Sequence, residues 1–77
     1  MNKEGRKKLE ELSGRISDIR NELEELRDEE QEKYDNMSEG LQQSENGQKL
    51  EEIATFLSDA VSNLEEAEFN VDEAMGR

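Results

Sequence analysis

The sequence predicts an all-α fold, an antiparallel helical hairpin of two long helices that associates further into a helical bundle. Three observations indicate this fold class. Apolar residues recur every three or four positions in two long segments, as they do on the buried face of a helix. The chain contains no proline, and residues that favour helices dominate its composition. Between the two segments lies a short stretch rich in glycine, asparagine and serine, which favour turns.

The first helix is predicted over residues 4–34. Its apolar residues are separated by alternating steps of three and four, which is the pattern of the a and d positions of a coiled coil. We call this row the heptad seam. It consists of Leu9, Leu12, Ile16, Ile19, Leu23 and Leu26. The seam ends where the next two positions are Glu30 and Lys33. A row of this width predicts that the first helix packs along a partner helix.

The second helix is predicted over residues 45–75 and has a wider apolar face. One row is Leu50, Leu57, Leu64 and Val71, and beside it lie Ile53, Ala60, Ala67 and Ala74. The other side of the face is widened by Ala54, Val61 and Met75. Because one narrow partner helix does not cover so wide a face, the sequence predicts self-association. The residues expected at the self-association surface are Phe56, Ala60, Val61, Ala67 and Ala74.

The connection is predicted over residues 35–44. Ser38 is expected to cap a short helical turn and Ser44 to cap the second helix. The apolar side chains of this region are Tyr34, Met37 and Leu41. Two interpretations of them remain open, since they either pack over the open end of the hairpin or contact a partner. A single unbroken helix is the alternative to a hairpin, and it requires the glycine-rich middle to stay helical.

Charge favours the antiparallel arrangement. The start of the first helix is basic and the end of the second is acidic, and each placement is unfavourable for the dipole of its own helix. A hairpin brings the two clusters side by side and offsets both. The basic cluster is Lys3, Arg6, Lys7 and Lys8, and the acidic cluster is Glu65, Glu66, Glu68, Asp72 and Glu73. The connection end then becomes strongly acidic.

The composition argues against several classes of function. The chain has no histidine and no cysteine, so the usual acid–base catalyst, the commonest metal ligand and the thiolate nucleophile are missing. We therefore expect no enzyme, no catalytic residue, no cofactor and no metal. The net charge of −12 argues against direct binding of nucleic acid or of an anionic membrane. No apolar run predicts a signal peptide or a membrane span, so we expect a cytoplasmic protein.

The same charge favours a basic partner. Acidic residues concentrate before and around the connection, and Phe69 points away from the apolar row of the second helix. An acidic face is either a solvated surface that keeps a thin bundle soluble or a surface that binds a basic protein. The candidate partner-binding residues are Glu22, Glu25, Glu29, Glu30, Glu32, Tyr34, Asp35, Met37, Leu41 and Phe69.

The order RDEEQEKYDNMSEGLQQSENGQKLEE at residues 27–52, followed by SNLEEAEF in the second helix, resembles small acidic proteins encoded by bacteriophages and prophages. Related patterns carry proline before the glutamate of the turn, where this chain has Ser38. The resemblance implies a small viral protein that acts on host machinery or serves phage assembly, in the cytoplasm of the host.

Three functional hypotheses follow from the sequence. The first is a non-enzymatic protein-binding module that oligomerises and inhibits or modulates a host protein, such as a defence or nucleic-acid-handling factor with a basic surface. The second is a structural or assembly module that binds only itself or another phage protein. The third is an acidic decoy whose carboxylates imitate the phosphates of DNA.

Overall fold

The computed structural model describes residues 1–76 and consists of three helices. The long helices are α1, Lys3–Asp35, and α3, Glu45–Met75, and between them lies the short helix α2, Glu39–Gln42. The two long helices pack against each other as an antiparallel hairpin, which confirms the predicted fold class. The molecule is a rod that measures 57 × 15 × 14 Å, with the connection at one end.

Each helix begins at a side-chain cap. The carboxamide oxygen of Asn2 accepts a hydrogen bond of 2.7 Å from the backbone N–H of Gly5, so α1 starts at Lys3. Ser38 and Ser44 cap α2 and α3 as the sequence predicts. At the other end of α3, Gly76 adopts a left-handed conformation with φ of 82°, which ends the helix and favours glycine.

The register of the hairpin is fixed by contacts between α1 and α3. Arg20 forms an ion pair with Glu68, and near the connection the hydroxyl of Tyr34 lies close to the carboxylate of Glu51. This register places the end of α3 level with roughly the third turn of α1. The basic residues at the start of α1 therefore lie beyond the end of α3. The predicted direction of the hairpin is right, but the ion pair that joins its helices lies further along α1 than expected.

The core of the hairpin is thin and lies along one line of α3. Ala54, Val61 and Met75 are buried, with exposed fractions of 3%, 2% and 7%. Rows of half-buried side chains flank this line on both helices. They are Leu9, Ile16 and Leu23 on α1, and Leu50, Leu57, Leu64 and Val71 on α3. The interior thus consists of two rows of half-buried leucine, isoleucine and valine on either side of three buried residues.

The heptad seam does not pack against α3 as a whole, which corrects the sequence-based prediction. Leu12, Ile19 and Leu26 are exposed by 43%, 49% and 49% of their surface. Instead, α1 is rotated so that a row containing Arg20 and Arg27 faces α3. The half-buried residues of that row are Ser13, Arg20, Arg27 and Tyr34. The rotation has a physical reason, because it lets Arg20 reach Glu68 across the interface.

The connection packs closely against the start of α3. Gly47 is buried, and a Cβ atom at this position would overlap the carbonyl oxygens of Leu41 and Gln42. Only glycine lets the first turn of α3 approach the backbone of α2 so closely. The side-chain amide of Gln42 donates a hydrogen bond of 3.0 Å to the carbonyl oxygen of Tyr34. These contacts tie both ends of the connection to the long helices.

Candidate protein-binding surfaces

One face of the hairpin is lined by apolar side chains that are exposed or half-buried, and we call it the exposed apolar face. On α1 it consists of the outer half of the heptad seam, and on α3 it consists of the alanine row with Ile53 and Phe56. Ile53 is exposed by 44% and Phe56 by 65%. Its members are Leu12, Ile19 and Leu26 on α1, and Ile53, Phe56, Ala60, Ala67 and Ala74 on α3.

Helix geometry places both rows on the same side of the hairpin. On α1 the exposed row follows the half-buried row by three residues, as Leu12 follows Leu9. On α3 the offset is the same, since Ile53 follows Leu50. Three residues along a helix turn a side chain by about 300°, so each exposed row is rotated in the same sense from its half-buried row. Because the helices are antiparallel and face each other, equal rotations turn both rows toward one side.

The side chains that border this face differ between the two helices. Three residues beyond each of the three positions of the exposed row on α1 lies a charged side chain, and a fourth charged residue lies seven residues before the first of these. We call these four residues the α1 rim. They are Lys8, Arg15, Glu22 and Glu29, and all four are exposed. The corresponding border on α3 has Asn63 and Asn70 beside its alanines. The face thus has one charged border, with two bases followed by two acids, and one largely neutral border.

Acidic residues are concentrated on the outer edges of the two helices. Every seventh residue on the side of each helix that faces away from the other is an exposed Asp or Glu, and we call these rows the acidic edges. They are Glu4, Glu11, Asp18, Glu25 and Glu32 on α1, and Glu45, Glu52, Asp59, Glu66 and Glu73 on α3. Successive carboxylates in a row are about 10 Å apart along the helix. The net charge of −12 is therefore carried largely away from the exposed apolar face.

A polar cluster crosses the hairpin interface at its middle. Arg20 donates hydrogen bonds to Glu68 and, at 2.9 Å, to Glu24, and Ser17 donates one of 2.9 Å to the second oxygen of Glu68. The hydrogen bond from Arg20 is the main reason that the pKa of Glu68 is lowered, and the Ser17 hydroxyl lowers it further. Both partners of the ion pair are mostly covered, so the cluster fixes the register of the two helices. Sequence reasoning did not identify this cluster.

Some apolar residues of the connection pack over the open end of the hairpin, and one is accessible to a partner. Tyr34 and Met37 are half-buried, whereas Leu41 is exposed by 57%. Partial burial of the Tyr34 ring and the nearby carboxylate of Glu51 raise the pKa of the tyrosine hydroxyl. Tyr34 and Met37 therefore pack over the open end of the hairpin, and Leu41 is the residue that a partner can reach.

The predicted partner-binding residues do not form one surface. Glu22 and Glu29 belong to the α1 rim, and Glu25 and Glu32 belong to the acidic edge on the far side of α1. Glu30 is half-buried and accepts a hydrogen bond of 3.0 Å from Lys33, while Asp35 is exposed beside the connection and accepts one from Gln31. Phe69 is exposed by 61%, on the side opposite the exposed apolar face.

The predicted self-association residues fall on one surface with one exception. Phe56 and Ala74 are exposed, and Ala60 and Ala67 are half-buried beside them. Val61 was placed wrongly, because its side chain is buried between the two helices and exposes only 2% of its surface. It lies one residue after Ala60, and that step of about 100° turns it into the hairpin interface.

Residues 1–76 show neither a membrane-spanning helix nor a group of metal ligands. Neither long helix contains an apolar stretch of the length and composition that would cross a membrane, and no three Asp or Glu side chains of this region are grouped to hold a metal ion. Comparison of the chain with protein-family models, with curated proteins and with solved structures found no match. Function is therefore inferred from the surfaces themselves.

Proposed function

We propose that this chain is a non-enzymatic protein-binding module, and that it binds a protein partner through the exposed apolar face. The observation that supports the proposal is the continuity of this face. Single exposed apolar residues are common on soluble proteins, whereas a contiguous patch bordered by polar side chains marks an interaction surface. Leu12, Ile19 and Leu26 follow one another every second turn of α1 and leave nearly half of their surface exposed.

The charge distribution favours a protein over a nucleic acid or an anionic lipid surface as the partner. A phosphate-rich ligand needs a basic patch, and the rows next to the exposed apolar face contain acids as well as bases. The acidic edges would repel anionic lipid headgroups or phosphates that approach from either side. An amphipathic helix of a protein, by contrast, fits a long apolar strip between two helices.

Photo-crosslinking tests this proposal. A photoreactive phenylalanine analogue is placed at Ile19, in the exposed apolar face, or at the neighbouring Asp18, on the acidic edge. We expect covalent adducts with a polypeptide, either a second copy or another protein, at position 19 and few at position 18. The two variants differ by one step along the same helix, so expression and helix content are matched. Equal yields at both positions, or no adducts at either, would contradict the proposal.

The acidic edges support a second candidate function, which is inhibition or modulation of a basic host protein. Their ten exposed carboxylates form two straight rows along a rigid rod, an arrangement that complements a long basic surface. A decoy that occupies a DNA-binding groove is the extreme form of the same function. The resemblance to phage-encoded proteins suggests that such a target belongs to host defence or nucleic-acid handling.

Substitution of one edge tests the second candidate. Glu25→Gln with Glu32→Gln removes two charges from the α1 edge near the connection, and Glu66→Gln with Glu73→Gln removes two from the α3 edge. Both pairs of substitutions keep residues that favour the helix, and neither changes a residue of the exposed apolar face. If a basic target binds the acidic end, the first pair should weaken capture from a host lysate more than the second pair. Equal capture by both variants and by the unmodified chain would argue against this function.

A further inference from the structure

We infer that the partner of the exposed apolar face is a second copy of this chain, bound face to face and antiparallel, so that two hairpins form a four-helix bundle. The inference rests on the proposed function, since it takes the same face as the binding surface and adds the identity of its occupant. In this bundle, α1 of one copy lies beside α1 of the other, and the two connections lie at opposite ends.

The heptad seam is wide enough to need two neighbouring helices. The hairpin covers only one of its two rows, whereas a four-helix bundle would cover both. In the hairpin, Leu9, Ile16 and Leu23 are half-buried toward α3, whereas Leu12, Ile19 and Leu26 are exposed. In a four-helix bundle each helix has two neighbours, and its a and d rows both point toward the central axis. A second hairpin on the exposed apolar face therefore covers the other half of the seam.

The dimensions of the face suit an interface between two copies. The long face of a rod of 57 × 15 Å has a projected area on the order of 800 Å², and contact along nearly all of α1 covers enough of it for an interface at the lower end of the range for specific protein–protein contacts. In this antiparallel bundle the α3 helices of two copies overlap only near their C-terminal ends. There Ala67 and Ala74 have short side chains and allow close approach, while Ile53 and Phe56 lie beyond the overlap. Asn63 and Asn70 border these alanines, so no charge repulsion arises where α3 meets its counterpart.

The α1 rim is complementary to itself only when the two copies are antiparallel. Its order along the chain is basic, basic, acidic, acidic, at intervals of seven residues. In an antiparallel pair of helices, residues at this border position face one another. The alignment that brings Arg15 of one copy beside Glu22 of the other also brings Lys8 beside Glu29. All four rim charges of each copy then face a charge of opposite sign.

The same alignment matches the apolar residues. With Arg15 beside Glu22, Ile16 of one copy lies opposite Ile19 of the other, and Leu12 lies opposite Leu23. The two α1 helices overlap over nearly their whole length, Lys3–Asp35. Arg15 forms an exposed ion pair of 3.0 Å with Glu11 of its own chain. An exposed pair of this type contributes little to stability. Breaking the pair with Glu11, so that Arg15 can bind Glu22 of the second copy, therefore costs little free energy.

The ends of the rod favour the antiparallel arrangement independently. Residues 1–20 have a charge of +2, and the chain beyond them has a charge of −14. Copies that run in opposite directions place the basic end of each beside the acidic connection end of the other. Copies that run in the same direction place like charges together at both ends, which costs free energy at low ionic strength.

Cysteine cross-linking of the purified chain tests the inference, because the natural sequence contains no cysteine. In the antiparallel bundle, the two copies of residue 19 are about 5 Å apart along the bundle, whereas the two copies of residue 12 are about 16 Å apart. We therefore expect Ile19→Cys to cross-link to itself with a short bismaleimide. Leu12→Cys should not cross-link alone, but it should cross-link in a mixture with Leu26→Cys. Asp18→Cys, on the acidic edge, is the control.

Three results would overturn the inference. They are a mass of one chain by light scattering at high micromolar concentration, equal cross-linking by Ile19→Cys and Asp18→Cys, and efficient self-cross-linking by Leu12→Cys, which indicates a parallel pair. Far-UV circular dichroism of each variant shows that the hairpin is retained. If the purified chain is monomeric while a photoreactive group at Ile19 captures another protein, this inference fails and the proposed function stands. If position 19 captures nothing, both fail.

Charge reversal on the α1 rim gives a second test that leaves the apolar residues unchanged. Arg15→Glu places two acids opposite each other, and Glu22→Arg places two bases opposite each other. Each single variant should raise the dissociation constant of the dimer roughly five- to tenfold at low salt, because the contact occurs twice in the dimer. The double variant restores opposite charges and should return to within about twofold of the unmodified chain. Additive weakening in the double variant would contradict the alignment.

Discussion

Arg20 on α1 and Glu68 on α3 form an ion pair between helices whose partners are 48 residues apart in sequence. Glu68 also accepts a hydrogen bond from Ser17, and Arg20 also donates one to Glu24, so both charged groups have two partners. The pair occupies the row next to the leucines in each helix. Its position determines which residues of α1 face α3 and which remain exposed.

Glu68→Gln should lower the melting temperature at neutral pH, and the effect should depend on pH. The pKa of Glu68 is lowered in the folded chain, so its stabilising contribution is present above the pKa of the unfolded chain, near 4.5, and is lost as the pH falls through the lower folded pKa. The difference between the two melting temperatures should therefore be largest near pH 7 and shrink below about pH 4. Glu66→Gln, on the acidic edge, should show no comparable trend. A difference that is constant from pH 7 to pH 3 would show that Glu68 acts by packing alone.

Gly47→Ala should destabilise the hairpin by about 1–3 kcal/mol, because the added methyl group would overlap the backbone of Leu41 and Gln42. Gly14→Ala is the matched control. It lies within α1 with open space around the position of its Cβ atom, so the gain in helix propensity should stabilise the chain by up to about 1 kcal/mol. Chemical denaturation measures both. Equal effects of the two substitutions would mean that the connection does not pack as described.

Ile19→Ser and Val61→Ala should affect stability in different ways. Val61 is buried within the hairpin, so its truncation should cost about 1–3 kcal/mol at any protein concentration. Ile19 is half exposed, and we expect its substitution mainly to remove the dependence of melting temperature on protein concentration. Thermal melts over a hundredfold range of concentration separate the two effects. A melting temperature of the unmodified chain that does not change with concentration would contradict the assignment of Ile19 to an interface.

Substitutions in the connection should separate its structural residues from its accessible one. Tyr34→Ala should destabilise the hairpin, because the ring is half-buried and its hydroxyl lies close to Glu51 on α3. Leu41→Ala should change the free energy of unfolding by less than about 0.5 kcal/mol, because the side chain is mostly exposed. If the connection binds a target, Leu41→Ala should weaken that binding without loss of helicity. If both substitutions reduce target binding only as much as they reduce stability, the connection does not contact the target. It then serves only as a turn between the helices.

The sequence predicts the helices of this fold well because each begins or ends at a local signal. Ser38 and Ser44 cap α2 and α3 where caps are expected, and the apolar spacing along α3 is unbroken. These features act within a few residues of the chain and need no knowledge of packing. The predicted antiparallel direction is also right, but the opposite charges at the two helix ends do not lie side by side, because the basic residues at the start of α1 extend beyond the end of α3.

The rotation of α1 could not be predicted in the same way. The heptad seam has two rows, and the sequence does not reveal that a single hairpin partner covers only one of them. That choice depends on Arg20 and Glu68, which are 48 residues apart and occupy equivalent positions beside the leucine rows of their helices. A search for opposite charges at equivalent flanking positions would have identified the pair. The same error placed Val61 on the outer surface, since it left open which side of α3 faces α1.

The position of the connection at one end of a 57 Å rod has a consequence for how targets would be bound. In the proposed antiparallel dimer, Leu41 would occur twice, at opposite ends of the bundle and on the order of 50 Å apart. Two connections at this distance cannot both reach one small binding site, but they can bind two target molecules or two repeats of one filament at the same time. The length of the hairpin would then set the distance between captured targets, and inserting or deleting two heptads in both long helices would change that distance by about 20 Å.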